Sequence, residues 1–236
     1  MNSIDVKYVI ITLLILLLES TILFADHGKD FTVTETIDLP EPKSFWLLLS
    51  VDFGSEEQLN SEHGVFEFTP GILYGISNSF AFEAHPHFAK KEDEDFAYEA
   101  IGFQLRYNLP NLRNRFDLGL LSEYKIASKS EHENLLDLRI IISSKLEKFK
   151  FSLNGGFEIE DETSFVTRLG LSSRISDDHS FAIELLSKFG DEPNIDIIPS
   201  WTYESKKEHA LRIGLGFSTG KDRPQLSFRS MLIFSL

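Results

Sequence analysis

Residues 80–88 read FAFEAHPHF. Phe80, Phe82, Ala84, Pro86 and Phe88 alternate with Ala81, Glu83, His85 and His87. In an extended strand successive side chains point to opposite faces, so this segment has one apolar face and one polar, titratable face. A soluble sandwich or lipocalin-like barrel turns such an apolar face inward, whereas a membrane barrel turns it outward. One strand does not decide between them.

The pattern repeats along the chain. In residues 44–53, Phe45, Leu47, Leu49, Val51 and Phe53 share a face; in residues 65–76, Phe66, Phe68, Ile72, Tyr74 and Ile76 do so, opposite Glu67 and Thr69. The same alternation marks residues 97–107, 116–124, 135–144, 149–157, 165–173, 181–188, 195–203, 210–217 and 226–234. With residues 80–88 this makes about twelve strands, an even number, each near the length that crosses a bilayer at a tilt. Short turns around Ser77, Pro110 to Asn114, Lys145 to Glu147, Ser176 to Asp178 and Ser205 to Lys207 alternate with longer, mostly acidic connections. Large apolar residues fill one face of nearly every strand, with aromatics such as Phe45, Tyr74, Tyr107, Phe116, Phe157 and Tyr203 near the strand ends, where a bilayer has its two interfaces. The expected fold is therefore all-β: an up-and-down antiparallel transmembrane β-barrel of about twelve strands, with its tight turns toward the periplasm.

Composition fits that reading. The 236 residues carry a formal net charge of -14 and no cysteine, so nucleic acid is not an expected partner and disulfides cannot supply stability. Tyr8 to Leu18 is an apolar run preceded by Lys7 and ended by Glu19. It suits the apolar region of a secretory signal better than a transmembrane helix, with cleavage expected after Ala25; an uncleaved anchor is the alternative. The expected organisation is a signal peptide at 1–25, a periplasmic lead-in at 26–42 and an outer-membrane barrel at 43–236.

The final segment, Leu226 to Leu236, places Phe228, Leu232, Phe234 and Leu236 on alternate positions. It resembles the terminal strand by which the barrel-assembly machinery recognises bacterial outer-membrane proteins, although it ends in Leu236 rather than an aromatic residue and Ser230 interrupts the apolar series. Pro70-Gly71-Ile72-Leu73-Tyr74-Gly75-Ile76, followed by a turn and an alternating strand, is similar to the hairpin of outer-membrane transporters of the phenol-degradation MetA-pathway type. That resemblance implies a transport or channel role and brings no catalytic residue.

With the Phe row of residues 80–88 toward lipid, Glu83, His85 and His87 face the lumen. The same parity sends Asp52, Glu67, Glu83, Asp117 and Glu123 inward from the first five strands, and Arg139, Lys150, Arg168, Lys188, Arg212 and Arg229 inward from the later ones. Arg139, Arg168, Arg212 and Arg229, opposed by Glu67, Glu83 and Asp117, are the expected lumen constriction. Walls of unlike charge orient dipolar solutes and tune ion selectivity. No metal site or cofactor is assigned. Glu83, His85 and His87 come nearest to one, since residues two apart on a strand share a face and imidazole is a metal ligand, but no third or fourth ligand is identifiable from the sequence. The expected function is an outer-membrane channel or passive transporter for small hydrophilic solutes. The rivals are a plugged barrel serving structure or surface interaction through acidic extracellular loops and, third, a lipid-modifying enzyme. Expected partners are membrane lipid, lipopolysaccharide, the assembly machinery and the solutes themselves.

Overall fold

The computed structural model describes residue 31 and residues 34–55, 64–90, 95–113, 116–128, 133–190, 193–205, 209–219 and 226–236. The proposed signal peptide and the turn at Ser205 to Lys207, except Ser205 itself, lie outside the described residues, as do the loop acids Glu56, Glu57, Glu92, Asp93 and Glu94. Twelve strands follow one another in sequence: β1 (Phe45–Ser55), β2 (Gly64–Gly75), β3 (Phe80–Lys90), β4 (Ala97–Arg113), β5 (Phe116–Ala127), β6 (Leu135–Leu146), β7 (Phe149–Ile159), β8 (Thr163–Arg174), β9 (His179–Phe189), β10 (Asn194–Ser205), β11 (His209–Ser218) and β12 (Leu226–Ser235). Each pairs with its sequence neighbours, and β12 pairs with β1 from Trp46↔Ser235 to Ser55↔Leu226, which closes the barrel. All pairings are antiparallel.

The expected strands are present, extended at their ends. The largest change is in β4, which continues through Pro110 to Arg113, so most of the stretch read as a turn from Pro110 to Asn114 is strand. Pro86 has no backbone donor, and the β2–β3 pairing passes from Phe68↔Phe88 to Ile72↔Ala84 without it, while the β3–β4 register shifts between His87 and Phe88. His87 faces Ala100 and Phe88 faces Tyr98, leaving Glu99 as the extra residue of a bulge. At the β6–β7 turn Glu147 takes a left-handed φ of 51°.

The apolar face looks outward. Ile72, Phe80, Leu105, Ile140, Phe157, Leu171 and Phe217 are all exposed, while Ala81, Glu83 and His85 of the opening segment are buried. Ring pairs join neighbouring strands toward both barrel ends: Phe80 stacks on Tyr107 at 4.4 Å near the tight turns, and Phe157 meets Phe165 at 5.4 Å near the longer loops. So wide an apolar surface is a liability in water and a solvent match in hydrocarbon. Inside, toward the tight-turn end, Trp46, Leu48, Leu73, Ala81, Ala210 and Ile233 form a small apolar floor.

A charge on the outer face is expected to cost stability according to depth. Ile140→Arg, near the middle of β6, should lower unfolding free energy in lipid vesicles by about 2–4 kcal/mol, and Leu146→Arg, at the strand end, by about 0–1 kcal/mol. Denaturant titration of both variants checks the gradient.

Candidate functional site

The lumen is occupied by the chain's own N-terminal segment. Lys43, with a left-handed φ of 72°, and the bond from Ser44 N to Glu41 O at 3.0 Å reverse the chain just before β1. Phe31 and residues 34–40 accordingly lie inside the barrel, in the segment that the sequence places in a periplasmic lead-in. Pro40 and Phe31 are fully buried, and Leu39 packs on the apolar floor. The wall makes room for them. A Cβ on Gly75 would come within 2.2 Å of Glu41 O, and one on Gly170 within 2.5 Å of the Phe31 ring.

Side chains from across the wall satisfy this segment's backbone. Glu184 Oε2 accepts from Thr34 N at 2.7 Å, and Asn154 Oδ1 accepts from Glu35 N at 2.8 Å. Ser152 Oγ and Asn154 Nδ2 donate to Glu35 O at 2.8 and 3.0 Å, and Arg212 Nη1 donates to Phe31 O. Irregular backbone at membrane depth is viable only when its polar groups find such partners. Its acids also meet wall cations: Glu35 lies 2.9 Å from Arg106 Nη1 and Asp38 lies 2.6 Å from Lys150 Nζ.

Residues 34–38 line three separate cavities of the lumen between them. The outer vestibule, toward the longer loops, has a volume of about 290 Å³ and is lined by Glu35 from below and by Asp52, Glu83, His85, Glu123, Arg139 and Arg168 among others. A second cavity of about 90 Å³ lies between Thr34, Asp38, Arg106 and Arg212, and a third of about 180 Å³ opens near Asp117, Lys145 and Arg174 at the tight-turn end.

The residues expected at the constriction are therefore spread over different cavities. Arg139, Arg168, Glu67 and Glu83 border the vestibule, Arg212 and Glu83 border the second cavity, above the apolar floor, and Asp117 stands at the tight-turn mouth. Arg229 lies opposite Asp52 in the β1–β12 register. Several of the cations have local partners. Arg139 is gripped by Asp137 on its own strand, with Nε to Oδ1 at 2.8 Å, while Glu158 lies 3.3 Å from Lys188 and 3.8 Å from Arg168. Arg106, on the mostly acidic wall, joins Glu83 at 2.8 Å to Glu35. The basic wall is thus largely neutralised where it stands. Glu35, Asp38 and Asn154 were not singled out by sequence reasoning; the available signal was a pair of acids in the lead-in and inward cations on distant strands.

No protein-family model matches the chain, and no curated protein matches it by sequence. Solved structures do match in shape. A KdgM porin aligns with 11% identity and a TM-score of 0.63 over 81% of this chain and 99% of its own. The COG4313 outer membrane channel from Pseudomonas putida F1 aligns with 11% identity and a TM-score of 0.63 over 90% of this chain and all of its own. The chain has the fold of these outer-membrane β-barrels. A NanC porin, at 13% identity and a TM-score of 0.60 over 80% of this barrel and all of its own chain, has the same fold.

The lumen contacts predict unequal costs. Arg106→Ala takes the wall cation from Glu35 and leaves Glu83 with His85 alone, and should destabilise the barrel by about 3–5 kcal/mol. Lys150→Ala, whose partner Asp38 is more exposed, should cost about 1 kcal/mol or less. Equilibrium unfolding in detergent or vesicles distinguishes them.

Proposed function

We propose that this barrel is an outer-membrane channel for small hydrophilic solutes, favouring cations and zwitterions, with Phe31 and residues 34–40 setting its conductance from inside the lumen. The observation that carries this reading is the series of polar cavities along the lumen, parted by residues 34–38 of a segment held through hydrogen bonds and ion pairs. Its similarity in fold to porins and an outer membrane channel supports the same class.

The vestibule argues for cations. Asp52, Glu67, Glu83, Glu123, Asp137 and Glu158 stand against Lys125, Arg139 and Arg168, with Glu35 beneath them. A cleft with a surplus of one charge sign and low-dielectric walls concentrates counter-ions of the other. One KdgM porin is described in complex with oligogalacturonate. An acidic sugar chain of that kind meets an unfavourable field here.

A plugged structural barrel is the second reading, favoured by the number of directed bonds that hold the lead-in. The acidic outer loops suit that reading and also divalent bridging to lipopolysaccharide. Glu133 and Asp161, from neighbouring connections, share a hydrogen bond that raises the Glu133 carboxyl above its ordinary value. The terminal strand β12 is the proposed handle for the assembly machinery. No side chain is assigned a catalytic role.

Planar-bilayer recordings test the proposal. The intact barrel should give small steps, a barrel beginning at Glu41 several-fold larger ones, and Arg139→Glu should move the reversal potential further toward cation selectivity. Silence from both the intact and shortened barrels, each shown to be folded, would establish the structural reading instead.

A further inference from the structure

In the outer half of the lumen, three neighbouring strands bring two imidazoles and a carboxylate to one point. His85 and His87 stand two apart on β3, their ring centroids 5.1 Å apart and their planes at 77°. Glu123 comes from β5, on the far side of β4. His85 can reach it because the β4 residue in register with it is Gly102. A Cβ on Gly102 would lie 2.2 Å from His85 Nε2. Without that side chain the imidazole lies across β4, and His85 Nε2 comes within 3.1 Å of Glu123 Oε1. One ligand atom from each of His85, His87 and Glu123 lies within 4.8 Å of the others.

Each of these residues is steadied by a neighbour. Glu83 Oε1 stands 3.0 Å from His85 Nδ1, and Arg106 holds the other Glu83 oxygen at 2.8 Å. Thr69 Oγ1 is 3.2 Å from His87 Nδ1, and Gln104 Nε2 donates to Glu123 Oε2 at 3.2 Å. Outer contacts of this kind fix the tautomer and orientation of metal-bound imidazoles and carboxylates. Two ring nitrogens are buried without a hydrogen bond: His85 Nδ1, which has the Glu83 carboxylate beside it, and His87 Nε2, which has no such neighbour among the ion pairs of the described residues. An imidazolium at His85 shared between Glu83 and Glu123 accounts for His85 but leaves His87 Nε2 unexplained. With a proton on Nδ1 directed at Thr69, Nε2 carries a free lone pair that can serve as a ligand.

We infer that His85, His87 and Glu123 form a binding site for a divalent first-row transition metal in the outer vestibule, with Zn²⁺ as its reference ion. Two imidazole nitrogens and one carboxylate oxygen suit Zn²⁺, Ni²⁺ or Cu²⁺ and do not suit the all-oxygen shells of Mg²⁺ and Ca²⁺. Ligands about 2.0–2.1 Å from a zinc ion stand within about 4 Å of one another, so closing on the metal takes only a small side-chain rotation. The remaining coordination positions face the vestibule cavity, open to water or to an anionic group of a solute. The site stands whether or not the lumen conducts.

The test is calorimetric titration of the refolded barrel, N-terminal segment in place, with Zn²⁺. We expect one ion per chain, binding weakened at least about tenfold by His87→Ala and by Glu123→Gln, and weakened about tenfold by the outer-contact variant Thr69→Val. His179→Ala, at the tight-turn rim, should leave it unchanged. Absence of saturable binding to the folded barrel overturns the proposal, as does binding that His87→Ala and Glu123→Gln leave intact. Should those variants not fold, Co²⁺ absorption on the unaltered barrel decides: a nitrogen-ligated spectrum supports the site, and the spectrum of the aqueous ion overturns it.

Discussion

Hydrocarbon offers a peptide group no hydrogen-bond partner, and this single fact governs the architecture. Every N–H and C=O that crosses the bilayer must be paired within the protein, and a sheet does this completely only when it has no edge. The ladder between β1 and β12 is the contact that removes the edge. Once it forms, the period-two alternation of each strand sorts side chains by solvent, with Phe and Ile toward lipid and Glu, Arg and Asn toward the interior.

Closure also creates an interior that must be filled. Inward parity brings Arg106, Arg139, Lys150, Arg212, Glu83 and Glu184 into a confined space where isolated charges are costly. The fold meets this in two ways. Arg139 is paired within its own strand by Asp137. Arg106, Lys150 and Arg212 instead converge on a segment of backbone from outside the sheet, which contributes Glu35, Asp38 and the Phe31 carbonyl. The lead-in is therefore as much a partner for the wall's charges as an obstacle in the lumen.

The barrel was legible because its signal is local and repeated. Each strand announces itself by alternation over some ten residues, and the repetition of the pattern in Phe80 to Phe88 along the chain indicates which face meets lipid. The lumen was less legible because its contacts are long-range. Nothing in the spacing of Glu35 and Asn154, 119 residues apart, announces that they share hydrogen bonds. His85 and Glu123 meet only because the intervening strand carries Gly102 at the position opposite His85, a coincidence of register rather than of motif. The residues expected at a constriction border different cavities, since parity specifies direction and leaves level to the stagger of the strands.

The residues that hold the N-terminal segment lie on β4, β7, β9 and β11, so they are brought around it only as the sheet curls shut. The part of the described chain that comes first in sequence is thus among the last to acquire its native environment. Assembly must either wrap the wall around this segment or admit it through a mouth afterwards, and the reversal at Lys43 is the point where the two routes diverge. Folding order in this molecule is consequently a question of threading as well as of strand pairing.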